Sequence, residues 1–147
     1  MSAKDTIRSM VIDFAKNINE AEPFNTKLTE FKLKLKSTVT MLLFQIPDQD
    51  VKEEQFKDVV EGINEAIVEI SREIKYEDER LLERYALFFE TLNGVLKEYL
   101  EREDLNDKHE LSQLSSKISK ILERIRLELK EKKGGLLKFI KRLIFRS

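Results

Sequence analysis

Apolar residues along this chain recur at steps of three and four, the spacing that lines one face of an α-helix. Ile7, Met10, Val11, Phe14 and Ile18 form the first such stripe, Ser2 stands where an N-cap hydroxyl starts a helix, and Pro23 bounds the stripe from behind. The next run, "EFKLKLKSTVTMLLFQI", carries two periods at once. Phe31, Leu33 and Leu35 alternate with lysines as in a half-buried strand, whereas Leu28, Phe31, Leu35, Val39, Leu42 and Ile46 keep helical spacing over the whole run. The alternation lasts only a few residues and has no second strand to pair with, so the pattern predicts a helix, stopped at Pro47.

In "DQDVKEE", Asp50 as N-cap and Glu53 three residues later make a capping-box arrangement that opens a third stripe, Phe56, Val59, Ile63, Ile67, Ile70 and Ile74. No glycine or proline interrupts "KYEDER", but an unbroken helix from Val51 to Leu100 would be far longer than one domain needs, and a break is expected near Asp78. A dimeric coiled coil over residues 51–100 is the rival reading. Leu82, Tyr85, Phe88, Phe89, Leu92, Val95 and Tyr99 line a fourth helix. After "REDLNDKHE", where Asp104 or Asn106 can cap, Leu111, Leu114, Ile118, Ile121, Leu122, Ile125 and Leu129 line a fifth, expected to end at Gly134 and Gly135.

The segment after the two glycines has a different character. At about 100° per residue, Leu136, Leu137, Phe139, Ile140, Leu143 and Ile144 fall within an arc of about 160°, while Lys138, Lys141, Arg142 and Arg146 fall on the other side. Only Phe145 is out of place. Twelve such residues make a helix of roughly 18 Å, too short for the ~30 Å hydrocarbon core, so the segment cannot span a bilayer but can lie on one. The expected organisation is an all-α antiparallel helical bundle of about five helices over residues 1–133, then a hinge at Gly134 and Gly135 and a short basic amphipathic helix within 134–147.

Charge sharpens the contrast. The 147 residues have a formal net charge of −1, yet residues 1–47 carry +2, residues 48–110 carry −11 and residues 111–147 carry +8. Such polarity can join neighbouring helices or present a basic face to an anionic partner. Hydrophobic residues at 41% and charged residues at 37% exclude simple disorder, and only two prolines and four glycines suit long helices. Without cysteine there is neither thiolate chemistry nor a disulfide, and "MSAKDTIRSM" has neither an apolar signal core nor a glycine at position 2, so a cytoplasmic protein is expected.

Candidate chemistry is sparse. His109 lies in a charged capping segment, and position 106 is asparagine where a Glu-x-x-His metal motif needs glutamate. Asp48 and Asp50 match the first two ligand positions of a calcium loop, but Lys52 takes the next and Glu53 the place of its turn glycine. Gly62 and Gly94 sit within helices, where close helix approach is the expected reason, and no phosphate-binding glycine motif occurs. Tyr76, Tyr85 and Tyr99 fit the apolar stripes rather than a base-stacking platform. The expectation is therefore a non-enzymatic interaction or regulatory bundle with no metal or cofactor. It would attach to the anionic cytoplasmic membrane surface through the tail face, Leu136, Leu137, Lys138, Phe139, Ile140, Lys141, Arg142, Leu143, Ile144 and Arg146. An unidentified protein partner and a homo-oligomer are further expected partner classes. One alternative is nucleic-acid association through Lys117, Lys120, Arg124, Arg126, Lys130, Lys132 and Lys133. Another is a tail packed as a sixth helix of the bundle, its cations against the acidic middle.

Overall fold

A computed structural model describes residues 2–145, apart from the side chains of Leu136, Leu137, Lys138, Phe139 and Phe145. The described residues form five helices: α1 (Ala3–Lys16), α2 (Phe24–Leu43), α3 (Gln49–Arg72), α4 (Glu79–Leu100) and α5 (His109–Phe145). The fold is all-α. Each stripe read from the sequence becomes one wall of a common core, with Ile7, Leu35, Ile63, Ile67, Leu82, Phe88, Phe89, Leu92 and Leu111 fully enclosed. Phe14 links α1 to α2 and α4, its ring 4.5 Å from that of Phe31 and 5.6 Å from that of Phe88.

Successive helices alternate in direction, as the side-chain pairings show. Lys4 meets Glu61 and Glu65 while Arg8 meets Glu69, so α1 and α3 run parallel. Lys36 with Glu98 and Phe31 with Phe88 set α2 parallel to α4. Ser115 with Asn93 and Arg126 with Glu90 set α5 against α4, while Lys57 with Asp107 just before α5 and Lys117 with Asn64 set α5 along α3, so α1, α3 and α5 run opposite to α2 and α4. Gly62 lets the parallel helices α1 and α3 approach closely: a Cβ there would lie 2.5 Å from the Lys4 carbonyl oxygen. Gly94 has no such role. A Cβ at that position would meet nothing within 4 Å, so close approach does not account for it.

The helix ends show which polar groups stop each element. Ser2 Oγ accepts from the Asp5 N–H, as expected, and Asp78 caps α4 by accepting from the Leu81 N–H. That cap breaks the long 51–100 run without glycine or proline. Two expected caps are displaced. Asp48 rather than Asp50 opens α3, accepting from the N–H groups of Asp50 and Val51, because it is the residue with extended backbone before the first turn. Asp107, rather than Asp104 or Asn106, accepts from the His109 N–H at the start of α5. Asp104 is occupied elsewhere, by two hydrogen bonds of 2.8 Å from Arg102.

Two polar networks hold the bundle ends. At one, buried Arg84 donates to the carbonyls of Ile18, Asn19 and Ala21, pairs with Glu22 and stacks 4.7 Å over the Phe24 ring, pinning the α1–α2 turn. At the other, Arg102 lies 3.6 Å over the Phe44 ring, Gln49 donates to the Asp104 carbonyl, and Glu53 accepts from the Asn106 N–H. These contacts fasten the α4–α5 connection to the start of α3.

The largest departure from expectation is at the C-terminal end. α5 does not stop at Gly134 and Gly135: its 37 residues run through both glycines with no positive φ, so no turn separates residues 134–145 from the bundle. The two glycines cost helix stability locally, but each extends a helix already nucleated over about seven preceding turns, where adding a residue is cheap compared with starting a helix.

Candidate functional site

The end of α5 is built by extending a core helix beyond its support. Ile118, Leu122 and Ile125 are buried and Leu129 is packed against the core, whereas Ile140 is 41% and Leu143 59% exposed. The antiparallel pairing explains the change. Arg126 sits beside Glu90, α4 begins at Glu79, and so α5 runs out of α4 to pack on within about its last three turns. Ile144 is 62% exposed, and Lys141 and Arg142 are exposed on the opposite flank. The apolar stripe therefore continues past the bundle with cations behind it.

The phase of that stripe is informative. Eighteen residues are five helical turns, about 1,800°, so Ile140 shares the direction of Leu122 and Leu143 that of Ile125. The exposed stripe thus points to the same side as the bundle. Among the described residues, no ion pair joins Lys130, Lys132, Lys133, Lys141 or Arg142 to an acidic side chain. The described part of the tail is thus not a separate sixth helix folded back on the acidic middle. The expected contributions of Leu136, Leu137, Lys138 and Phe139 through their side chains, and of Arg146 altogether, lie outside the described residues.

The expected anion-binding residues are not gathered on one face. Lys117 reaches across to α3, 2.6 Å from Asn64 Oδ1, while Arg126 reaches to α4, 2.6 Å from Glu90 Oε1, so the two cations lie on opposite flanks of α5. Arg124 is stacked 4.4 Å over the Tyr76 ring. Lys120 and Lys130 are exposed on α5, as is Lys133 beside the two glycines, and Lys132 is half-buried.

Elsewhere the surface offers little chemistry. His109 is exposed and lines an open cavity of about 820 Å³ between α3 and α5 with Glu61, Asn64, Lys117 and Lys120. Among the described residues no group of three or more His, Asp or Glu side chains is placed to hold a metal. A groove of about 620 Å³ between α1 and α2 has Met10, Phe14 and Phe31 in its lining, with Asp13, Glu30 and Lys34 around them, a feature that separate helix stripes cannot reveal. Burial pushes the Tyr99 hydroxyl up to about 12 and raises that of Tyr85, and both are core residues.

No helix among the described residues is long and apolar enough to cross a membrane. No known protein family, curated protein or solved structure matches this chain.

Proposed function

We propose that this chain is a non-enzymatic interaction or regulatory bundle, held peripherally at the cytoplasmic face of an anionic membrane by the C-terminal end of α5. The observation that carries the reading is the exposure of Ile140 and Leu143 beyond the core, with Lys141 and Arg142 on the opposite flank. Apolar insertion and headgroup attraction would act together there, each basic residue contributing on the order of 1 kcal/mol at an anionic surface before screening. The division of the other α5 cations between two flanks, with Lys117 and Arg126 already engaged within the fold, gives a phosphate backbone no single track to follow.

Vesicle co-sedimentation tests the proposal. The intact protein should bind phosphatidylserine-containing vesicles, bind neutral ones weakly, and bind less at high salt. Truncation after Lys133 should abolish binding, and so should Ile140→Asp, which places a charge in the inserting stripe. Because Ile140 lies beyond the core, the same substitution should move the melting temperature by no more than about 4 °C, the shift expected for about 1 kcal/mol at this length. Equal sedimentation of the intact and truncated proteins, or a large melting shift for Ile140→Asp, would overturn the reading.

A further inference from the structure

The straight form of α5 and a bilayer make incompatible demands on the same stripe. Ile140 and Leu143 point to the side on which Leu122 and Ile125 bury themselves in the bundle. An interfacial helix sinks its apolar face about 5–10 Å into the headgroup boundary and lies along the surface. If all of α5 did so, the helices packed on its inner side, each roughly 10 Å across, would be driven into the lipid. The side chains entering first would include the exposed carboxylates of Glu79, Glu83 and Glu90 on α4. End-on insertion fails too, because it carries Lys141 and Arg142 into hydrocarbon.

Gly134 and Gly135 stand between the two regions, where the helix leaves the core. They are not there for packing: a Cβ at either position would meet nothing within 4 Å. Nor does the turn chemistry of this conformation require them, since neither has positive φ. What two adjacent glycines do provide is the least stable helical step available without proline.

We infer that α5 bends at Gly134–Gly135 when it engages an anionic bilayer, and that the straight helix is the unbound conformation. The inference rests on the membrane reading above. An outward bend of about a right angle turns the stripe carrying Ile140 and Leu143 to face along the long axis of the bundle, away from its end. The tail then lies flat on the surface and the bundle stands upright on it. Binding selects the bent state, so apparent affinity is set partly by how easily these two residues leave the helix.

Alanine and proline at the joint should act in opposite directions, though neither touches the apolar stripe or any charge. Gly134→Ala/Gly135→Ala favours the straight form by two helix-propensity steps and should weaken binding to phosphatidylserine vesicles about 20-fold. Gly135→Pro breaks the helix in advance and should bind at least as tightly as the wild type. Because the chain has no cysteine, spin labels at Glu123→Cys and Lys141→Cys report the bend directly. Eighteen residues of straight helix separate them by about 27 Å, which a right-angle bend shortens to about 20 Å. The longer distance is expected in solution and the shorter on vesicles. A wild type that binds vesicles while the double alanine variant binds equally well, or while the label distance stays near 27 Å, overturns the bend and leaves the membrane reading standing. A wild type that does not bind vesicles overturns both.

Discussion

Alanine substitution of Gly62 and of Gly94 should change stability in opposite directions, although both residues lie inside long helices. Replacing an interior helical glycine by alanine is worth about 1 kcal/mol in helix propensity alone. At Gly94 nothing opposes that gain, because the new Cβ would stand in open space. At Gly62 the Cβ would sit 2.5 Å from the Lys4 carbonyl oxygen and 3.2 Å from the Lys4 carbonyl carbon and Cα. These are backbone atoms of α1, so relief requires moving the whole helix away from α3. Such a movement loosens Ile7 and Val11, both fully buried. Overpacking of a close-packed interior costs typically 1–3 kcal/mol, and an obstacle made of backbone puts this site at about 2–3 kcal/mol, which leaves a net loss of about 1–2 kcal/mol after the propensity gain. At roughly 4 °C per kcal/mol for a chain of this length, Gly94→Ala should raise the melting temperature by about 4 °C and Gly62→Ala lower it by about 4–8 °C. Thermal unfolding followed by far-ultraviolet circular dichroism measures both. A Gly62→Ala protein as stable as the Gly94→Ala protein would refute the close α1–α3 approach.

Two further outcomes follow from the polar networks at the bundle ends. Arg84→Met removes the donors to three carbonyls and should lower unfolding free energy by about 3 kcal/mol in urea titration, with Arg84→Lys recovering little because an ammonium lacks the planar fork. An Arg84→Met protein with wild-type stability would show that the α1–α2 turn does not depend on it. The hydrogen bonds from Arg102 hold the Asp104 carboxyl at about 2, against an unfolded value of about 4. Since the folded value is the lower one, this contribution is complete above about pH 4 and is lost as pH falls towards 2. Glu22, lowered chiefly by its hydrogen bond from Arg84, acts in the same direction. Wild-type stability should therefore fall more steeply than that of Asp104→Asn between those pH values, and parallel curves would refute the assignment.

The sequence made the helices legible because their apolar spacing survives folding almost residue for residue. The α2 segment shows the limit of that signal. Its strand-like alternation depends on Leu33, which is 60% exposed and takes no part in the core, while Phe31, Leu35 and Val39 bury the helical stripe. The double glycine misled for a related reason. Its local cost is readable, but the cooperativity of a helix already running past Leu129 is not. Arg84 left a trace that stripe counting passes over, an arginine four residues before Phe88 on the buried face of α4. The candidate tail face was legible as an amphipathic wheel. Its alignment with the core stripe was not, because two adjacent glycines read locally as the end of a helix, whereas α5 continues through them.

The direct packing of α1 on α3 has a kinetic consequence. Lys4 and Glu61 are 57 positions apart, whereas Asn93 and Ser115 across the α4–α5 pair are 22 apart. Loop closure costs more as the intervening chain lengthens, so the α4–α5 hairpin can assemble early from neighbouring sequence. α1, synthesised before α3, must instead wait for it. Until α3 emerges, the Gly62 notch into which the Lys4 backbone of α1 fits has not yet been synthesised, and the side of α1 that α3 buries stays uncovered by it.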